Sequence, residues 1–148
     1  MTKNSGQKSF RGRSLIGGRA TGPALVLEEP LSFWGGVDPS SGRIVDIHHP
    51  QRSTTITGTI LVLPGGRGSS SSSSVLAEAI RAETAPLAVV LAQPDDILVL
   101  GALVARELYG RSCPIVVLDV EGYGAIATGD EMTVDAGDED ARVVVSRS

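Results

Sequence analysis

Three short apolar runs, separated by two segments of helical periodicity, occupy the middle of this 148-residue chain. The runs are TILVLP, PLAVVLAQ and CPIVVLD, and each has the length and composition of a buried strand. After the first run, Val75, Leu76, Ala79 and Ile80 recur with the spacing of one helix face. Residues 58–119 therefore predict the order strand, helix, strand, helix, strand, which is typical of a parallel sheet with right-handed crossovers.

Segments of different character flank this unit on both sides. FRGRSLIGG and GPALVLEEP read as two short strands split by a glycine-rich turn. DEMTVDAG and ARVVVSR alternate in polarity, as half-exposed antiparallel strands do. The pattern predicts a mixed, layered β/β/α architecture with a parallel βαβαβ unit and flanking antiparallel strands. We expect a flexible tail over residues 1–8 and a single domain over residues 9–148.

Composition excludes several classes of protein. Hydrophobic residues make up 41% and charged residues 20% of the chain, which favours a globular fold over a disordered one. The net charge of −4 argues against a nucleic-acid partner. Because no apolar run approaches the roughly 20 residues of a membrane span, we expect no membrane association. The N-terminus lacks a secretory signal, and the single cysteine, Cys113, cannot form an internal disulfide, so we expect a cytoplasmic protein.

The stretch GGRGSSSSSS, residues 65–74, lies between the first predicted strand and the first predicted helix. Open α/β sheets bind ligands at the carboxyl ends of their strands, and the start of a helix favours negative charge. Beside an arginine, in a closed electropositive site, a serine there could act as an alkoxide base. The stretch matches neither a P-loop nor a dinucleotide fingerprint. The alternative is that one serine caps the helix while the others are solvated.

Three stretches together resemble the small subunit of the aconitase X family. They are PLSFWGGVDPSSGRIVD, ILVLPGGRGSSSSSSVL and APLAVVLAQPDDILVLGALVARELYGRSCPIVV, and the resemblance covers residues 10 to 120 in order. It implies a three-layer β/β/α swivelling domain similar to the fourth domain of aconitase. It also implies a dehydratase whose large subunit holds an iron–sulfur cluster on cysteines, so that no metal is bound by this chain. Archaeal members of the family act on mevalonate 5-phosphate, and bacterial members convert cis-3-hydroxy-L-proline to Δ1-pyrroline-2-carboxylate.

The resemblance assigns roles within the serine tract. The family's proton acceptor is the serine that follows its Gly-Arg/Lys-Gly motif, which is Ser69 here. Arg67 would then hold the substrate carboxylate or keep Ser69 ionisable, and Gly68, Ser70 and Ser71 would bind substrate. The expected partners are the large subunit and a small carboxylate substrate, and the serine tract favours the bacterial substrate over the phosphorylated one. A non-catalytic anion-binding or assembly module on the same fold stays the alternative.

Other polar residues have simpler interpretations. Asp95 or Asp96 can cap the second helix and Gly110 suits its exit, while Asp38 and Asp46 are typical turn residues.

Several conspicuous side chains lie outside these assignments. Cys113, with no second cysteine near it, is expected to be a structural thiol rather than a cluster ligand. Neighbouring His48 and His49 point in opposite directions on an extended segment and are expected at a surface or interface. The aromatic pair Phe33 and Trp34 could belong to the core, anchor an interface or form a substrate wall, and we favour the interface anchor. The roles of residues 72–74 stay open.

Overall fold

A computed structural model describes residues 6–65 and 70–147. The strands within these ranges are β1 (Gln7–Ile16), β2 (Gly18–Val26), β3 (Val37–Asp38), β4 (Arg43–Ile44), β5 (Ile60–Leu63), β6 (Ala88–Leu91), β7 (Ile115–Val117), β8 (Glu131–Ala136) and β9 (Asp140–Ser146). The helices are α1 (Phe33–Gly36), α2 (Ser72–Ala82), α3 (Asp96–Tyr109) and α4 (Val120–Gly124). The predicted strand–helix–strand–helix–strand order of residues 58–119 is thereby confirmed as β5, α2, β6, α3 and β7.

The three apolar runs form neighbouring parallel strands. Leu61 of β5 pairs with Val89 of β6, and Val90 of β6 pairs with Val116 of β7. Every side chain of β5 and β6 is buried, because both faces of these strands are covered. Successive residues of each strand, such as Leu61 and Val62, point to opposite faces and belong to two different hydrophobic clusters.

The flanking segments close the sheet into a barrel. β2 pairs in parallel with β5 and antiparallel with β8, and β9 joins β8 to β1. β1 then pairs antiparallel with β7, so the strand order is β1-β7-β6-β5-β2-β8-β9 with the ends joined. Although only Gly17 separates β1 from β2, these two strands lie apart in the barrel.

Three layers result, as predicted. One cluster fills the barrel between the parallel strands and the antiparallel strands β8 and β9. The other lies between the parallel strands and the pair α2 and α3. The order antiparallel strands, parallel strands, helices confirms the β/β/α fold class.

The structure revises some element boundaries. Gln7 and Lys8, which the sequence placed in the tail, are the first residues of β1 and pair with Ser146 and Val145. They are held because β9 offers them a complete antiparallel ladder. Within the described ranges, no helix has the length and apolar character needed to cross a membrane.

Candidate active site

The candidate site lies at one edge of the sheet, where four parallel strands end. Because β2, β5, β6 and β7 run in the same direction, the segments that follow them meet at this carboxyl edge. The described residues of these segments are 27–36, 64–65, 70–71, 92–95 and 118–119. The starts of α2 and α3 therefore lie at the same edge.

The serine tract connects β5 to α2, as its position in the sequence predicts. Three residues assigned to the site, Arg67, Gly68 and Ser69, lie outside the described residues. Ser70 and Ser71 are exposed and directly precede α2. The Ser70 carbonyl accepts hydrogen bonds from the Ser73 N–H (3.1 Å) and the Ser73 hydroxyl (2.8 Å). The described end of the tract is thus the first turn of a helix rather than a linker.

A cleft of about 550 Å³ lies between the described ends of the tract and the start of α3, and Gly65 and Ser72 of the tract line it. It is lined by Pro30, Leu31, Phe33, Pro64, Gly65, Ser72, Gln93, Pro94, Asp95, Asp96, Ile97 and Leu98. Leu31, Phe33 and Leu98 are buried and form its apolar part, whereas the polar groups come from the starts of α2 and α3. An apolar cleft with a few convergent polar groups is the usual form of a small-molecule site.

One polar group of the cleft is already committed to the fold. The carboxylate of Asp95 accepts hydrogen bonds from the N–H groups of Ile97 (3.0 Å) and Leu98 (3.2 Å), which confirms it as the cap of α3. Gly110 ends the same helix with a φ of 66°, as predicted. Asp96 is exposed in the first turn and does not cap.

Ser72 is a site residue whose role the sequence left open. It is 4% exposed, its hydroxyl oxygen accepts the Trp34 N–H at 3.0 Å, and it lies 3.3 Å from the Ser32 hydroxyl oxygen. A signal for its burial was present. Counting back four residues from Leu76, on the apolar face of α2, places Ser72 on that face.

Cys113 does not fit a cluster ligand at this site. It lies before the first residue of β7, at the opposite edge of the sheet, and is 1% exposed. Burial raises the pKa of its thiol to about 12, so the thiolate that iron requires is disfavoured. Among the described residues, no group of three or more His, Cys, Asp or Glu side chains could hold a metal. An iron–sulfur cluster therefore has no ligand set in the described part of this chain.

The two histidines have different environments. His48 is exposed, as expected, but His49 is only 6% exposed, so the expected surface position is wrong for it. Its Nδ1 accepts the Gln51 N–H at 3.0 Å, and its Nε2 lies 3.2 Å from the Glu29 carbonyl oxygen. The imidazole of His49 is buried because it packs between residues 49–51 and the segment that follows β2, and it hydrogen-bonds to both.

The predicted turn aspartates act as turn residues. Asp38 accepts hydrogen bonds from the Ser40 hydroxyl (2.8 Å) and N–H (2.9 Å), and these bonds, the hydroxyl first, lower its pKa. Asp46 accepts the His48 N–H at 2.9 Å. Neither aspartate lines the cleft.

Known proteins are similar to this chain along nearly its whole length. The sequence model of a family described as the aconitase X swivel domain matches residues 9–145. Cis-3-hydroxy-L-proline dehydratase of Pseudomonas aeruginosa is 52% identical over 106 residues, which are 72% of this chain and 18% of that enzyme. The phosphomevalonate dehydratase small subunit of Methanocella arvoryzae is 36% identical over 127 residues, which are 85% of this chain and 92% of that subunit.

A solved structure shows the same fold. The crystal structure of Thermococcus kodakaraensis aconitase X in its holo-form superposes with a TM-score of 0.79 at 33% identity, covering 92% of this chain and 98% of that one. The relatives differ in length, since the chain spans about a fifth of the length of curated cis-3-hydroxy-L-proline dehydratases from Pseudomonas aeruginosa and Hypocrea jecorina. The same domain thus occurs within a longer enzyme and as a separate small subunit.

Proposed function

The chain belongs to the aconitase X swivel-domain family, and from this premise we propose that it is the small subunit of a heteromeric hydro-lyase. Its contribution is the serine base. The observation that carries the proposal is the position of the described ends of the serine tract, since Gly65 after β5 and Ser72 at the start of α2 both line the cleft at the carboxyl edge. Relatives named as small subunits support a large-subunit partner.

Ser69 takes the proton from the carbon next to the substrate carboxylate. Arg67, whose guanidinium presents a planar donor fork, holds that carboxylate or keeps Ser69 ionisable. Gly68 allows close approach of the backbone, and Ser70 and Ser71 bind the carboxylate at the start of α2, where the helix dipole favours negative charge. The family's motif and the described ends of the tract, which lie at the carboxyl edge, support these roles.

The proposed substrate is cis-3-hydroxy-L-proline, which loses water to give Δ1-pyrroline-2-carboxylate. The 52% identity to an enzyme of that name supports this choice over mevalonate 5-phosphate. The sequence supports it too, because Arg67 is the single basic residue among those assigned to the site, and no phosphate-specific cluster of basic residues is evident beside it. Mevalonate 5-phosphate stays the alternative substrate.

The large subunit would carry the iron–sulfur cluster, whose iron would supply the Lewis acid that draws off the substrate hydroxyl. This chain's part is to supply the base, the carboxylate contacts and one wall of the cleft. On this account the purified chain dehydrates neither substrate without its partner. The single unpaired cysteine supports a cytoplasmic location.

The test is to co-purify the chain with its large subunit and assay both substrates with two variants. Ser69→Ala should reduce turnover by orders of magnitude while complex formation and melting temperature stay unchanged. Ser74→Ala, the same change at an exposed position of the tract, is the matched control and should retain activity. Full turnover by the Ser69→Ala enzyme would instead support the second function, a non-catalytic anion-binding or assembly module.

A further inference from the structure

The described serines of the tract differ sharply in their surroundings. Ser70, Ser71 and Ser74 are exposed, whereas Ser72 is buried at 4% exposure. A buried hydroxyl must find hydrogen-bond partners or destabilise the fold. Ser72 finds them on another segment, the short α1 that follows β2.

Three groups form a closed ring of hydrogen bonds across this contact. The Trp34 N–H donates to the Ser72 hydroxyl oxygen at 3.0 Å, and the Ser32 hydroxyl donates to the Trp34 carbonyl at 3.1 Å. Because the Ser32 proton is used there, the Ser72 hydroxyl donates in the 3.3 Å contact between the two serines. Such a chain of bonds is cooperative, so each bond strengthens the others.

The ring fixes an irregular piece of backbone that needs support. Within α1, Trp34 has non-helical angles and Gly35 has a φ of 79°. The Val37 N–H bonds to the Phe33 carbonyl across this irregular turn, and the ring holds the Trp34 peptide groups inside it. As a result Phe33 is turned inward, fully buried at the cleft, and Trp34 is turned outward with 60% of its surface exposed. Leu31, one residue before Ser32, is also buried at the cleft.

We propose that Ser72 is a positioning residue, which fixes the cleft wall formed by Leu31 and Phe33 against the start of α2 through the ring with Ser32 and Trp34. The inference rests on the proposed function in that the substrate occupies this cleft. Ser72 sets the position of this wall relative to Ser70 and Ser71, so a displaced wall would fit the bound substrate less closely and weaken its binding.

Three variants of the assembled enzyme test the ring: Ser72→Ala, Ser32→Ala and the double variant. Each single change should raise KM about three- to tenfold, and the double variant should raise it no further, because one broken bond opens the ring. Ser74→Ala is the matched control and should leave KM unchanged. A merely structural role would lower the melting temperature and the active fraction, and hence the apparent kcat, without moving KM; that result would overturn the proposal.

The chain carries its own reporter, because Trp34 is its single tryptophan. In the purified chain, Ser72→Ala and Ser32→Ala should each lower the fluorescence anisotropy of Trp34, whereas Ser74→Ala should not. Anisotropy that is unchanged in both ring variants would exclude the ring. A KM increase for Ser72→Ala with a silent Ser32→Ala would place the Ser72 hydroxyl on the substrate and overturn the positioning role. If the wild-type enzyme dehydrates neither substrate, the proposed function fails, while the anisotropy still decides the ring.

Discussion

Two clefts lie at opposite edges of the parallel strands, and they differ more in chemistry than in size. The cleft at the carboxyl edge has a volume of about 550 Å³, and the one at the amino edge about 430 Å³. The first receives the starts of α2 and α3. The second receives their ends, where the Glu83 carboxylate pairs with the Arg111 guanidinium at 2.9 Å beside the buried Cys113.

Helix direction explains the difference. A helix presents free N–H groups at its start and free carbonyls at its end, so an anionic substrate is favoured at the first cleft and a cation at the second. At the amino edge, Arg111 already supplies that cation within the chain. Substitutions at the carboxyl edge should therefore change activity, and substitutions at the amino edge should change stability alone.

Gly101→Ala, at the contact between α3 and α2, should have the largest effect. It should lower both stability and activity, because α3 packs against the start of α2. A methyl group at position 101 would lie 2.6 Å from the Ser73 carbonyl oxygen and 3.1 Å from Leu76 Cβ. The two helices must separate, which costs about 1–3 kcal/mol of unfolding free energy and shifts the start of α2. Urea unfolding and turnover of the assembled enzyme should both show a loss.

Gly124→Ala is the matched control for that change, since a methyl group there meets nothing within 4 Å. It should alter stability by no more than about 0.5 kcal/mol. Equal stability of the Gly101→Ala and Gly124→Ala variants would mean that α3 does not hold the serine end of α2.

Cys113, at the amino edge, should affect the pH dependence of stability and not activity. Burial raises the pKa of its thiol from 9.0 to about 12, so its stabilising contribution is complete below pH 9 and is lost as pH rises toward 12. One unit above the unfolded pKa, this loss is about 1.4 kcal/mol.

A Cys113→Ala variant isolates this term, because every other titrating group stays the same. The difference in unfolding free energy between wild type and variant should shrink by that amount between pH 8 and pH 10, while turnover at pH 8 is unaffected. If the unfolding free energies of wild type and Cys113→Ala changed equally with pH, the raised pKa of the Cys113 thiol would be contradicted. If the variant lost turnover, the amino edge would not be purely structural.

Asp95→Ala tests a residue that serves both the fold and the cleft. Its carboxylate caps α3 with two hydrogen bonds, so its loss should cost about 1 kcal/mol of unfolding free energy. Asp96→Ala is the control, since Asp96 lies one residue further on without capping the helix, and it should cost only a few tenths. If the two variants were equally stable, the cap would not contribute.

Asp95 also illustrates what the sequence could predict. The parallel unit is visible in its local signals: apolar runs of strand length, a capping aspartate, and Gly110 at the exit of α3. Closure of the barrel is not visible, because β1 pairs with β7 and β9, about a hundred residues or more away, rather than with its neighbour β2. Such pairings depend on the whole chain and leave no local pattern.

The site was predictable to a similar extent. The position of the serine tract between strand and helix follows from the order of elements alone. The ring of Ser32, Trp34 and Ser72 does not, because the partners of Ser72 are about 40 residues away in sequence. His49 likewise reads as a surface residue until its partners at Glu29 and Gln51 are known.

The smallest effect is expected at the end of the tract, where Ser73 and Ser74 follow Ser72 inside α2. Ser74 is exposed, and serine is a weaker helix former than alanine by about 0.5 kcal/mol, so Ser74→Ala should slightly stabilise the chain. Ser73→Ala gains the same propensity but loses the hydroxyl bond to the Ser70 carbonyl, so it should be nearly neutral.

Turnover of the assembled enzyme should stay within about twofold for both variants, because neither hydroxyl belongs to the ring or to the proposed carboxylate site. Thermal unfolding of the chain and steady-state kinetics of the complex measure the two effects separately. A Ser74→Ala chain that folds normally but no longer binds the large subunit would place Ser74 in the subunit interface. The functional surface would then extend from the cleft along α2. Residues of α2 outside the cleft would have to be assigned to the contact with the large subunit.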